Sequence, residues 1–184
     1  IGDPDPGFRA ASPLGKMPAM DDDGFLLADS SAIIQYVEAK YPEPALIPTD
    51  PQERGRVIWW EEFGDTVFAA CSGKMFFNRI VAPKFLGREG DLAAAAQAEG
   101  EELPKLLAYL ESAIPASGFL VGDRLTLADL AVASPLMNFR HCGACIDPAT
   151  HPKIAAWSEA ILSRPSMATW IAKEERLMAR VLAA

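Results

Sequence analysis

The chain has 184 residues, half of them hydrophobic, with 25 acidic against 17 basic side chains and a formal net charge of −8. That length holds one good core, or a complete domain plus part of a second. The charge argues against a general nucleic-acid or anionic-membrane surface, and a mean hydropathy of +0.08 with no apolar run of about 18 residues excludes a membrane-spanning helix. There are three cysteines, and the opening IGDPDPGF has neither a basic start nor an apolar stretch of the secretory kind. Both features predict a reducing, cytoplasmic setting without a disulfide framework.

In chain order, residues 1–15 read as irregular connection, because Pro4, Pro6, Gly7, Pro13 and Gly15 interrupt any regular pattern. Lys16–Met20 reads as a short strand with a proline inside it. Asp21-Asp22-Asp23-Gly24 is a turn, and Asp-Gly is a strong hairpin signal. Phe25–Leu27 is the second strand. Asp29, Ser30 and Ser31 supply the capping oxygens of a helix that carries Ile33, Ile34 and Val37 and stops before Pro42. A two-stranded hairpin with one helix cannot bury its apolar face or satisfy its sheet edges, so a further segment is expected before it.

Two features of this stretch point to a site. Met17-Pro18 places a proline where a strand would need an N–H. A cis bond there turns the Met17 N–H and C=O outward, toward a peptide-like ligand, although roughly 5–6% of X-Pro bonds in folded proteins are cis. The helix start at Asp29-Ser30 offers backbone N–H groups and a dipole to a carboxylate, while Asp29 can accept from an ammonium. An amino-acid head group carries both charges. Taken singly, each feature also has a plain structural reading, as trans punctuation or as a cap.

Residues 42–50, PEPALIPTD, form a stiff linker. The predicted division is residues 1–43, a linker over 44–50, and a helical domain over 51–184. Pro51 suits a first helical turn after Asp50 or Thr49. Val57, Trp60, Gly64, Val67, Cys71 and Met75 then make one long amphipathic face that ends before Pro83. A loop over 84–90 leads to a second long helix from about Asp91 to Ala113, with Pro104 as a kink or a break. Thr126 and Asp129 form a capping box before the nearly all-apolar helix LTLADLAVASPLMN. Two more helices follow over 152–163 and 165–182.

Cys142-Gly143-Ala144-Cys145 is a C-x-x-C that follows a helix instead of opening one, the wrong context for a low-pKa redox pair. His141 and His151 lie near it in sequence, but the stretch reads as a loop without a fixed tetrahedron of ligands, and no metal site is predicted.

The series SPLGKMPAM, acidic turn, FLLADSSAIIQYV, YPEPALIP, together with the capping-box helix, resembles the cytosolic glutathione transferase family over nearly the whole chain. The resemblance implies a partial thioredoxin-like domain, α/β in class, followed by an all-α domain. It implies that the Met17 backbone beside Pro18 pairs with the cysteinyl part of glutathione. Asp29-Ser30 would hold the γ-glutamyl end, and Lys16 would reach the glycyl carboxylate. Ser12 stands where the family more often has Asn. The strand–helix–strand that carries the family's thiol-activating residue matches nothing here, so the catalytic residue is unknown and a longer protein is expected. The same resemblance implies a homodimer that transfers glutathione, as co-substrate, to a small apolar electrophile, with Trp60, Phe63 and Cys71 as candidate pocket residues. A non-catalytic binding protein on the same fold, or a glutathione-dependent reductase or isomerase, remains as an alternative.

Overall fold

The computed structural model describes residues 5–183. Two compact units divide between Ile47 and Pro48.

The first unit holds α1 (Pro6–Ala11), β1 (Ala19–Asp22), β2 (Phe25–Ala28) and α2 (Ser30–Lys40). Helix α1 corrects the irregular reading of residues 1–15. Asp5 Oδ1 accepts from Gly7 N at 2.7 Å and from Phe8 N at 3.4 Å. Pro6 then occupies the first helical turn, where its missing N–H costs nothing. Strand β1 begins one residue after Pro18, not at Lys16, because a proline cannot donate to the ladder. The two strands pair antiparallel with Asp22 opposite Phe25 and Ala19 opposite Ala28. The connection is the two-residue loop Asp23-Gly24, with φ of 52° and 90°. Positive φ at both central residues is the primed turn whose twist matches a hairpin. The expected helix follows, capped by Asp29, and ends at Lys40 with Tyr41 N–H bonded to Val37 O.

The second unit is helical. Residues 51–85 form one unbroken run: α3 (Pro51–Glu62), a π-helical stretch Phe63–Phe68, α4 (Ala69–Phe76) and a second π-helical stretch Phe77–Phe85. Asp50 is its N-cap, accepting from Gln52 N at 3.0 Å and Glu53 N at 2.9 Å. The run passes through Pro83, where the sequence predicted a stop. A π turn moves the acceptor to the fifth residue back, which relieves the clash between a proline ring and the fourth carbonyl. The predicted helix over 91–113 is likewise broken in hydrogen-bond pattern: α5 (Leu92–Gln97), a π-helical stretch Ala98–Glu102, and α6 (Leu103–Ala113) with Pro104 in its first turn. Helices α7 (Leu127–His141), α8 (Pro152–Leu162) and α9 (Pro165–Ala183) complete the unit.

Helix α7 is central, with Val132 and Ala133 wholly buried. The first π-helical stretch lies directly on it, since a Cβ on Gly64 would come within 2.6 Å of the Ala131 carbonyl oxygen. The capping box forms as predicted. Its Asp129 is wholly buried and accepts from Leu120 N (2.9 Å), Thr126 N (3.0 Å) and Trp157 Nε1 (3.0 Å). One carboxylate thus ties the loop before α7, the start of α7 and the middle of α8 together. Glu111 does similar work from α6, accepting from Lys153 N and Ile154 N at the start of α8.

Candidate functional site

In the first unit, the hairpin register sets the site. With Ala19 opposite Ala28, the next residues outward are Pro18 and Asp29. The Asp29 N–H donates to the Pro18 carbonyl at 3.2 Å. Met17-Pro18 and Asp29-Ser30, eleven residues apart in sequence, therefore lie side by side.

The Met17-Pro18 bond is cis, and Met17 is 85% exposed. Asp29 is exposed and has φ 83° and ψ 129°. That backbone region is uncommon for a residue with a Cβ, and such strain costs about 1–3 kcal/mol. Its Oδ1 accepts from Ala32 N at 3.2 Å, so the carboxylate caps the first turn of α2. Ser30 follows it as the first residue of α2 and is half-buried. Lys16 is exposed just before Met17. The five predicted residues thus form one patch made of the end of a loop and the start of a helix. It combines a carboxylate, a hydroxyl, a cation and a helix N-terminus, the set that a zwitterionic peptide needs.

Three sets of bonds that support this patch were not read from the sequence, although Ser12 itself was noted there. Ser12 is buried, and its hydroxyl donates to Lys16 O at 2.7 Å, which fixes the loop leading into Met17. Asp22 Oδ2 accepts from Tyr36 OH at 2.5 Å and from Lys40 Nζ, fastening the hairpin to α2. These bonds hold the Asp22 carboxyl below its usual range, Lys40 first and Tyr36 second, and push the Tyr36 phenol up. Glu38 Oε1 accepts from Leu46 N at 2.9 Å and Ile47 N at 2.8 Å, tying α2 to the chain that leaves it. The i, i+4 spacing of Tyr36 and Lys40 was the one readable hint; the Ser12 and Glu38 bonds depend on loop paths that sequence does not carry.

The three pocket candidates lie inside the helical unit. Trp60 and Phe63 are buried and pack edge to face at 5.3 Å, each also against Tyr109. Cys71 is wholly buried, with its thiol directed at the Ala98 carbonyl at 3.6 Å. Burial pushes that thiol up to about 11, so it is a poor nucleophile near neutrality. Cys142 is half-buried and its thiol is also raised by burial, while Cys145 is exposed; all three are free thiols. Among the described residues, no cluster of His, Cys, Asp or Glu is placed to hold a metal. No helix among them is long and apolar enough to cross a membrane.

Comparison with known proteins gives this arrangement a family. The glutathione S-transferase N-terminal domain model matches residues 1–45 and the C-terminal domain model matches residues 76–174. A glutathione S-transferase of Hyoscyamus muticus is 34% identical over 164 residues, which cover 86% of this chain and 75% of that protein. A maleylacetoacetate isomerase of Pseudomonas aeruginosa is 31% identical over 162 residues, covering 88% and 73%. Among solved structures, glutathione S-transferase-I bound with lactoylglutathione superimposes with a TM-score of 0.79 at 26% identity, over 91% of this chain and 79% of that one. The chain belongs to the glutathione S-transferase family. It carries the family's fold, a small N-terminal sheet unit followed by a helical unit.

Proposed function

We propose that the protein binds glutathione at the patch formed by Lys16, Met17, Pro18, Asp29 and Ser30 and transfers it to a small apolar electrophile. The observation that carries this reading is the pairing of Asp29 N–H with Pro18 O, which sets the exposed Met17 beside a helix-capping carboxylate. Met17 N–H and C=O would pair with the cysteinyl residue in the manner of a neighbouring strand. Asp29 would accept from the γ-glutamyl ammonium, Ser30 and the start of α2 would hold its carboxylate, and Lys16 would face the glycyl carboxylate. These contacts fix the direction of the thiol, and positioning a bound nucleophile is a large part of such catalysis. None of the 184 residues is assigned the task of activating the thiol. The burial of Trp60, Phe63 and Cys71 gives no support to a pocket-lining role for them, and least to Cys71.

The acidic composition and the free thiols support a cytoplasmic protein, and the family resemblance supports a homodimer. A glutathione-dependent isomerase is the second reading, favoured by the similarity to the Pseudomonas aeruginosa protein. Titration calorimetry with glutathione on wild type and Asp29→Ala tests the site. Loss of a charge-assisted contact predicts at least about tenfold weaker binding, or about 1.4 kcal/mol. Unchanged affinity in a folded variant would remove Asp29 from the site.

A further inference from the structure

Cys142 and Cys145 are free thiols three residues apart in the helical unit, and the patch at Met17 and Asp29 uses neither. The end of α7 holds the first of them in place. Cys142 N–H donates to Asn138 O at 3.1 Å and Phe139 O at 3.0 Å, Gly143 N–H to Arg140 O at 3.0 Å, and Ala144 N–H to Phe139 O at 3.0 Å. Gly143 takes a φ of 82°, and the set is the closure that ends a helix on a left-handed residue. Arg79, from the second π-helical stretch, donates to Cys142 O at 3.3 Å and pairs with Glu99 at 2.5 Å. His141, one residue back, lies 3.2 Å from Glu174 of α9. Cys145 comes after the last of these bonds, is exposed, and among the described residues makes no hydrogen bond.

One thiol is thus anchored and half-buried, and the other is accessible and untethered. Three residues span about 10 Å at most when fully extended, and a disulfide needs its Cα atoms about 4.4–6.8 Å apart. The chain between the two cysteines is already bent at Gly143, so closing the bond moves residues 144 and 145 and leaves Cys142 where it is. Burial pushes the Cys142 thiol up, with Arg79 opposing, so the exposed Cys145 reacts first. The pair ends a helix where redox catalysts open one, which makes it a target of oxidation and not a catalyst of exchange. We propose that Cys142 and Cys145 form a reversible dithiol–disulfide site whose oxidant is a small disulfide of the glutathione disulfide class. The Cys145 thiolate attacks one sulfur of that disulfide. The small S–S bond breaks, one small thiolate leaves, and a mixed disulfide forms on Cys145. Cys142 gives its proton to water and attacks the Cys145 sulfur, and the second small thiolate leaves. Two protein thiols are oxidised and one small disulfide is reduced to two thiols. The new bond ties the end of α7 to the loop before α8, beside the Arg79 and His141 contacts.

The test incubates the reduced full chain with glutathione disulfide, blocks the remaining thiols with N-ethylmaleimide in urea and maps the peptides by mass spectrometry. Wild type is expected to lose two hydrogens across Cys142 and Cys145, to take the block only at Cys71, and to regain both thiols in dithiothreitol. Cys142→Ser has no resolving thiol and is expected to stop at a glutathionyl adduct on Cys145. Cys145→Ser has no exposed thiol and is expected to be modified at least about tenfold more slowly than wild type. The wild-type result does not depend on any variant folding. A lasting glutathionyl adduct on wild-type Cys145, an unmodified pair, a disulfide between two chains or one that includes Cys71, or Cys145→Ser reacting at the wild-type rate would each overturn the proposal.

Discussion

The backbone N–H of Asp29 is bonded to the carbonyl of Pro18 at 3.2 Å. Asp29 keeps that bond with a φ of 83°, a conformation that only glycine adopts without strain. Substitution here therefore separates backbone cost from side-chain function. Asp29→Ala loses the cap on Ala32 N and keeps the strain, and should destabilise the protein by about 1 kcal/mol. Asp29→Gly also loses the cap but relieves the backbone, and should cost only a few tenths of a kcal/mol at most. Urea unfolding of both variants checks the order. An Ala variant as stable as the Gly variant would show that the strain carries no energy.

Asp129 is buried in the helical unit and serves four donors, two backbone N–H groups, the Thr126 hydroxyl and the Trp157 indole. Asp129→Ala leaves those donors without an acceptor, and each orphan costs about 1–3 kcal/mol. A total loss of about 4 kcal/mol is expected, equal to a fall in Tm of about 8–16 °C for a chain of this size. Asp129→Asn keeps one acceptor oxygen and should lose less. Thermal unfolding followed by circular dichroism distinguishes them, and equal losses would mean that the charge, not the acceptor geometry, is what matters.

Much of this architecture is legible in local sequence. Asp23-Gly24 announces its turn because both positions need positive φ, and Thr126 with Asp129 announces the start of α7 because the capping box is a local contact. Asp5-Pro6 was equally local, a cap followed by a first-turn proline, yet the surrounding Pro4, Gly7, Pro13 and Gly15 concealed it. Pro83 misled for the opposite reason. A proline normally ends a helix, but the widened turns of Phe77–Phe85 accommodate it, and nothing in the local pattern marks a π turn. At the candidate site, Met17-Pro18 and Asp29-Ser30 were singled out from their order in the chain. The bond between Asp29 and Pro18 was not, because it follows from strand register, and neither was the Ser12 support for Lys16.

The Asp22, Tyr36 and Lys40 cluster predicts how the first unit responds to pH. The Asp22 carboxyl is held below its ordinary range by Lys40 and Tyr36, so the folded state binds fewer protons there than the unfolded state. Its contribution is present above the ordinary aspartate value of about 4 and is lost as pH falls through the lowered folded value. Lys40 is raised, chiefly by its bond to Asp22, so its contribution is complete below its ordinary range and is lost as pH rises through the folded value. Comparing Tm of wild type and Asp22→Asn should show a constant gap at neutral pH that closes in acid. The gap should also shrink in high salt, because the pair is partly exposed. A gap independent of pH from neutral down to strong acid would show that the carboxylate charge does not contribute.

The three thiols should separate cleanly by reactivity. Cys71 is wholly buried and its thiol is pushed up to about 11 by burial; Cys142 is half-buried with a raised thiol, and Cys145 is exposed. At neutral pH, iodoacetamide should label Cys145 first, Cys142 more slowly and Cys71 not at all in the folded protein, since the thiolate is the attacking species. The same raised value carries a stability consequence. An unfolded cysteine ionises near about 8.5, so between that value and about 11 the folded state holds a proton that the unfolded state has lost. The contribution of Cys71 is therefore complete below about 8.5 and falls as pH rises toward the folded value. Cys71→Ala should lose part of its stability through lost packing, yet its decline between pH 8.5 and 11 should be shallower than that of wild type. Parallel curves for the two proteins, or rapid labelling of Cys71 at neutral pH, would show that this thiol is not shielded as its burial requires.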